Sequence, residues 1–260
     1  MDAGAPSDGD PVTRRVAVVT GAARGIGFAA ARKLAMAGNA IALLDRSPAV
    51  VDQAKTLSDL GVPTIGIVAD VGDEGSVDAA LAETRDALGP IAILVNNAGL
   101  TAVHRDWKTV TPQQWDEVMT VNLKSMFLCS RNVITDMEAV GWGRIVNLSS
   151  VTFLSGQRRL IDYVASKGGA VGFTRSLCRE VGPDGITVNT VTPGAIRTEA
   201  EIEMVPDPDD AALAALTSIQ AIQRRGTPDD VAAAIAFLCT EEAGFITGQN
   251  LVVDGGWMLN

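Results

Sequence analysis

The sequence predicts an α/β fold: a single domain built on a doubly wound parallel sheet with helices on both faces. Three observations predict it. Short apolar runs alternate with amphipathic, helix-patterned stretches along nearly the whole chain, and elements in that order pack as parallel strands joined by right-handed helical crossovers. The first run, Val16 to Thr20, feeds a glycine-rich turn and then an alanine-rich helical stretch, Phe28 to Ala37. The length, 260 residues, suits one such domain with ample core. The apolar runs place seven strands at 15–20, 40–45, 63–69, 91–95, 143–149, 185–191 and 249–253.

Taken in order, these elements carry chemistry at their ends. The first strand closes in Gly21-Ala-Ala-Arg-Gly25-Ile-Gly27. Glycines there let the backbone bend tightly and approach a ligand, while the first free N–H groups of the following helix offer a site for a phosphate anion. The second strand, Ala40-Ile-Ala-Leu-Leu44, closes on Asp45, about where a carboxylate accepts hydrogen bonds from an adenine ribose. Strand, turn, helix, strand and acid in this order point to dinucleotide binding.

Asp70-Val71 follows the third strand and Asn96-Asn-Ala-Gly99 the fourth. A helix then starts near Thr111-Pro-Gln-Gln, with Thr as N-cap and Pro at the first helical position. It contains Asn122, which is unfavourable inside a helix, so a kink or a bound water is expected there. The fifth strand ends at Ser149-Ser150, whose side chains face opposite sides.

The next helix carries Tyr163 and Lys167, four residues apart in Tyr-Val-Ala-Ser-Lys and so on one face. A phenol has an unperturbed pKa near roughly 10, and a neighbouring ammonium favours the phenolate, moving its titration towards working pH. The sixth strand leads into Pro193-Gly-Ala-Ile-Arg-Thr198. After it, Arg197 to Arg225 is acidic from Glu199 to Asp210 and reads as an amphipathic helix from Ala211 to Ile222. Thr227-Pro-Asp-Asp230 is a capping-box helix start.

The ordered set of motifs, with glycines spaced three residues and then one, resembles the short-chain dehydrogenase/reductases over nearly the whole chain. The resemblance implies the strand order 3-2-1-4-5-6-7 and an NAD(P)-dependent oxidoreductase with a catalytic set of Asn122, Ser150, Tyr163 and Lys167. Ser150, not Ser149, is implied because it lies thirteen residues before Tyr163, the separation usual in the family. The implied cofactor-binding residues are Gly21, Arg24, Gly25, Ile26, Gly27, Asp45, Asp70, Val71, Asn97, Ala98, Gly99, Tyr163, Lys167, Pro193, Gly194, Ile196 and Thr198.

In the implied reaction a secondary alcohol and its ketone interconvert, with Tyr163 as general acid and base. Ser150 hydrogen-bonds the substrate oxygen, Lys167 holds the nicotinamide ribose, and Asn122 holds a water that relays protons. Asp45 would accept from the ribose diol and repel a phosphate, which favours NAD over NADP. Arg24 and Arg46 favour the opposite choice, since either guanidinium could clamp that phosphate. An NADP-dependent β-ketoacyl thioester reductase and a non-catalytic dinucleotide-binding protein are the alternatives.

The remaining features bound the surroundings of this chemistry. Met1 to Asp10 is small, acidic and expected to be disordered, ahead of a domain over 11–260. The chain has no apolar stretch long enough to span a bilayer, which suggests no membrane partner and a cytoplasmic location. Cys129, Cys178 and Cys239 read as buried thiols, not as a metal site. A formal net charge of -10 argues against nucleic acid.

The resemblance implies that Arg197 to Arg225 folds over the substrate as a mobile lid, and selection of a small-molecule substrate is expected in Leu100–Trp107, Val151–Leu160 and this lid. There His104 reads as an exposed loop residue and Trp107 as the anchor of its loop, while Gln157, Arg158 and Arg159 are solvated or meet an anionic group. The resemblance also implies a homotetramer built on helices around 111–139 and 160–181 and on 249–260. Val171 to Cys178, apolar all round, suits burial on two sides.

Overall fold

The seven apolar runs form seven strands: β1 Val16–Thr20, β2 Ala40–Asp45, β3 Thr64–Val68, β4 Ile91–Asn96, β5 Gly143–Leu148, β6 Ile186–Pro193 and β7 Asn250–Val253. They pair in parallel throughout, in the order β3-β2-β1-β4-β5-β6-β7, as the resemblance implies. The computed structural model describes residues 14–204 and 210–259. The tail expected at 1–10 lies outside the described residues.

Ten helices surround this sheet among the described residues: α1 Gly25–Met36, α2 Ala49–Ser58, α3 Glu74–Leu88, α4 Pro112–Met119, α5 Ser125–Val140, α6 Thr152–Ser155, α7 Ile161–Val181, α8 Glu199–Met204, α9 Asp210–Ser218 and α10 Pro228–Leu238. Because successive strand residues point to opposite faces, each strand feeds two cores. Ala17, Val19, Ile41, Leu43, Ile93 and Val95 pack with Leu34 of α1, Leu57 of α2 and Ile235 of α10. Val16, Val18, Ala42, Leu44 and Leu94 pack on the other face with Leu81 of α3 and Leu128, Val133 and Met137 of α5. Apolar on both faces, the strands are continuous hydrophobic runs, the pattern of a sheet covered on both sides.

Local signals fix the helix starts. Thr111 caps α4 in a capping box with Gln114, and Thr227 caps α10 in a capping box with Asp230. The chain order reverses between β1 and its two neighbours, β2 and β4, and ligands of open α/β sheets bind at such a switch point, outside the carboxyl ends of the strands. Between α4 and α5 the helix widens into a π turn, Thr120–Lys124, with Asn122 at its centre. The irregularity expected at Asn122 is therefore a backbone one. Single π turns inserted in α-helices mark functional positions.

Candidate active site

A cavity of about 590 Å³ opens at the carboxyl ends of β1 to β4. Of the residues expected to bind a cofactor, it is lined by Gly21, Arg24, Asp45, Asp70, Val71, Asn97, Ala98 and Gly99. Gly21 has φ +64°, and a Cβ there would lie 2.8 Å from the Ala98 Cα. A Cβ at Gly27 would meet the Gly21 carbonyl oxygen at 2.2 Å. The turn is thus packed backbone on backbone, and no side chain fits between its passes.

Asn97 braces this turn, its Nδ2 donating to the carbonyls of Thr20 and Gly21 at 2.9 Å each. Its side chain is therefore engaged by protein, beside Ala98 and Gly99 in the cavity wall. Gly25, Ile26 and Gly27 open α1 beside the cavity, and the N-cap residue Arg24 makes no side-chain cap. The first N–H groups of α1 lack a side-chain acceptor, which fits an anionic diphosphate. Asp45 is half-buried and held by two backbone donors, Oδ2 accepting from Ala23 N–H at 3.0 Å and Oδ1 from Ser47 N–H at 2.9 Å. Asp70 accepts from Gly72 N–H at 2.8 Å, which fixes the loop after β3.

Gly99 stands between this cavity and two of the residues implied as catalytic, Asn122 and Lys167. A Cβ on Gly99 would stand 3.3 Å from Asn122 Oδ1 and 3.5 Å from Lys167 Nζ. Asn122 is fully buried; its Oδ1 accepts from Leu100 N–H at 2.7 Å and its Nδ2 donates to Ser166 Oγ at 3.2 Å. Ser166 in turn donates to the carbonyl of Tyr163 at 2.7 Å. Lys167 is buried, and its Nζ donates to the carbonyl of Leu148 at 3.0 Å while lying 5.7 Å from the centre of the Tyr163 ring.

Ser150 Oγ accepts from the N–H and the hydroxyl of Thr152, at 3.3 and 3.0 Å. Its own O–H is thereby left for Tyr163, with which it is hydrogen-bonded. Ser149 points away, its hydroxyl donating to the carbonyl of Lys167 at 2.8 Å. The four residues implied as catalytic thus stand together, brought from α5's π turn, the end of β5 and the first turns of α7.

Electrostatics corrects one expectation. Burial pushes the Tyr163 phenol above its ordinary value, and the Ser150 hydrogen bond works in the opposite direction. Desolvation thus sets the direction for Tyr163, although the Lys167 ammonium lies 5.7 Å from its ring. Lys167 is itself desolvated, which pulls its ammonium from 10.5 down to about 8. It still carries its charge for the most part at pH 7.

The loop after β6 closes the site from the other side. Val151 N–H donates to the carbonyl of Pro193 at 3.1 Å, and Gly194 N–H to that of Val253 at 2.9 Å, tying this loop to the Ser150 strand end and to β7. Thr198 approaches the glycine turn, its side chain 3.8 Å from where a Gly25 Cβ would sit, and its hydroxyl accepts from Glu201 N–H at 3.3 Å. Ile196 is buried and bridges to Gly226. Neither Pro193 to Thr198 nor the four residues implied as catalytic line the 590 Å³ cavity itself.

Several surrounding residues differ from expectation. Trp107 is 63% exposed in a short turn and does not anchor its loop. That work falls to Arg105, whose guanidinium pairs with buried Asp162 at 3.3 Å and whose N–H donates to the carbonyl of Arg159 at 2.9 Å. Arg159 holds φ +66°, a left-handed conformation found at no other non-glycine among the described residues. His104 is exposed, as expected.

Cys129 and Cys239 are buried thiols, pushed up to about 12 by desolvation, whereas Cys178 is half-buried. Val171 to Cys178 is buried on one side only, at Val171 and Thr174. Among the described residues, no group of three or more His, Cys, Asp or Glu is placed to hold a metal ion, and no helix is long and apolar enough to cross a membrane.

Sequence reasoning missed a buried polar chain behind the site. Asn96 Nδ2 donates to Asn147 Oδ1 at 2.8 Å, Asn147 Nδ2 to Thr174 Oγ1 at 2.9 Å, and Thr190 Oγ1 to Thr174 Oγ1 at 2.8 Å. It pins β4, β5 and β6 to α7, the helix that carries Tyr163.

The family model described as enoyl-(acyl carrier protein) reductase matches residues 21–258. The short-chain reductase protein NovJ of Streptomyces niveus is 38% identical over 247 residues, 93% of each chain. The chain belongs to the short-chain dehydrogenase/reductase family. Within the short-chain dehydrogenase/reductases it is also similar to the 3-oxoacyl-[acyl-carrier-protein] reductase FabG of Pseudomonas aeruginosa, at 37% identity over 95% of this chain and 98% of the other. A solved structure assigned as an NAD(P) dependent gluconate 5-dehydrogenase from Beutenbergia cavernae, with bound NADP, superposes with TM-score 0.87 at 36% identity, covering 95% of this chain and 97% of that one. The reaction class of this short-chain dehydrogenase/reductase is dinucleotide-dependent oxidoreduction at a CH–OH group.

Proposed function

We propose that the protein interconverts a secondary alcohol and its ketone with NAD as the preferred cofactor, Tyr163 serving as general acid and base. The observation that carries this reading is the meeting of Asn122, Ser150, Tyr163 and Lys167 where Gly99 closes the dinucleotide cavity. When bound, the nicotinamide coenzyme supplies or accepts the hydride. Tyr163 gives its phenolic proton to a carbonyl oxygen as charge develops there, or takes the hydroxyl proton in the reverse direction.

Ser150, oriented by its two bonds from Thr152, donates to the same oxygen. Lys167 presents an ammonium beside Tyr163, and the N–H donors not used by Leu148 face the ribose position next to Gly99. Asn122 holds α7 through Ser166, whose hydroxyl donates to the carbonyl of Tyr163.

Preference for NAD rests on charge. Asp45, Asp70, Asp73, Asp116 and Glu117 line the cavity against Arg24 and Arg46. Five carboxylates against two guanidiniums disfavour an added phosphate. The protein is proposed to be cytoplasmic and to assemble as a homotetramer, a mass that light scattering at micromolar protein measures directly.

A second reading, an NADP-dependent β-ketoacyl thioester reductase, is favoured by the family description and by the FabG relative. One screen separates the two. Nicotinamide absorbance is followed with NAD and a panel of sugars, polyols, hydroxy acids and simple carbinols, and with NADPH and acetoacetyl-CoA. Higher kcat/KM for a carbinol with NAD supports the first reading; higher kcat/KM for the thioester with NADPH overturns it.

A further inference from the structure

Arg24 belongs to two systems at once. It lines the dinucleotide cavity with Asp45 and Arg46, and it starts one residue after Ala23, whose N–H is bonded to the Asp45 carboxylate. Its guanidinium, however, is paired with Glu203 of α8. Elsewhere in α8, Glu201 takes two bonds from Arg225, at 2.6 and 2.7 Å, and lies 3.7 Å from Arg197, while Glu199 stands 3.6 Å from where a Gly25 Cβ would sit. Glu203 is the α8 carboxylate that pairs with Arg24.

A 2′-phosphate on the adenine ribose beside Asp45 needs cationic donors, and the cavity offers Arg24 and Arg46. Arg24 cannot serve a phosphate fully while Glu203 neutralises it. We infer that Glu203 is a specificity-determining residue for the cofactor: it withholds Arg24 from a 2′-phosphate and makes NADP binding compete with the latch between Arg24 and α8. The inference deepens the NAD-preferring reading and rests on it. Coupling of this kind is reciprocal, so a bound 2′-phosphate loosens α8, whereas NAD leaves the latch in place. The ion pair is half-exposed, with side chains 50% and 62% accessible, and pairs of that kind shift binding by about two- to fivefold.

The test is a double-mutant cycle on the full chain, with dissociation constants for NADH and NADPH read by nicotinamide fluorescence. In Glu203→Gln the ratio of the NADPH constant to the NADH constant falls by about two- to fivefold. In Arg24→Gln the same second substitution leaves the ratio unchanged. A ratio that does not move in Glu203→Gln, or that moves equally with Arg24 removed, overturns the inference. The NAD-preferring reading fails separately, if the unsubstituted protein binds NADPH the more tightly.

Discussion

Replacing Lys167 with Met is expected to flatten the dependence of folding stability on pH above neutrality. In the ligand-free protein Lys167 is 4% exposed and titrates at about 8, against 10.5 for an ordinary lysine. The folded value is the lower one, so between pH 8 and 10.5 the unfolded chain binds one proton more than the folded chain. Stability must therefore rise with pH through that window, and the cost of burying the ammonium is fully in force below it.

The drop from 10.5 to about 8 corresponds to about 3 kcal/mol. Met has a similar unbranched stem and no proton to lose. At pH 7 the variant recovers the burial cost but leaves the Leu148 carbonyl, now bonded at 3.0 Å, without its donor, a loss of about 1–3 kcal/mol. Its stability there should equal or modestly exceed that of the parent. Urea unfolding followed by tryptophan fluorescence, from neutral pH to about 10, gives the two curves. The difference between them should change by about 3 kcal/mol in favour of the parent as pH rises; parallel curves would refute the reasoning.

Three further outcomes are expected. Tyr163→Phe should lose at least about a hundredfold in kcat while binding NADH normally by fluorescence titration. Tyr163 is the single tyrosine of the chain, so tyrosinate absorbance titrates it alone, and its midpoint should lie above 10 in the ligand-free protein; a midpoint below that contradicts the desolvation argument. Gly27→Ala would press a methyl within 2.2 Å of the Gly21 carbonyl and 2.5 Å of Asn97 Nδ2. It should cost about 1–3 kcal/mol in thermal unfolding and weaken NADH binding. Asp162→Ala removes the acceptor of Tyr163 N–H at 2.8 Å and leaves Arg105 unpaired, so stability should fall by about 1–3 kcal/mol in urea, with faster proteolysis at Leu100–Trp107.

What the sequence makes legible follows from where each interaction comes from. The strands were readable because each is apolar on both faces, and all of their ends fall within two residues of the expected ones. The sixth runs on to Pro193 because it pairs with β7 through Pro193↔Val253, a contact that no local pattern reveals. The capping boxes at Thr111 and Thr227 are local and were plain. The π turn at Asn122 was legible only as an irregularity, because its form depends on Leu100 and Ser166. Spacing showed that Lys167 stands one turn from Tyr163, yet it carries no information on burial, and burial decides the direction of both titrations. The Asn96–Asn147–Thr174–Thr190 chain was invisible for a related reason: each member looks like an ordinary strand or helix residue until four distant elements meet.

The same burial explains why the site is useful. An ammonium has three donors, and among the described residues Lys167 finds one acceptor, the Leu148 carbonyl. A buried charge so incompletely bonded lowers stability, and the protein tolerates it because two cores and a fully paired polar chain hold α7 in place. Hydroxyl groups arriving beside Gly99 would complete the bonds that folding leaves unmade. Part of the affinity for a ribose is thus the recovery of a cost already incurred on folding, and it is available only to a ligand that brings acceptors to that position.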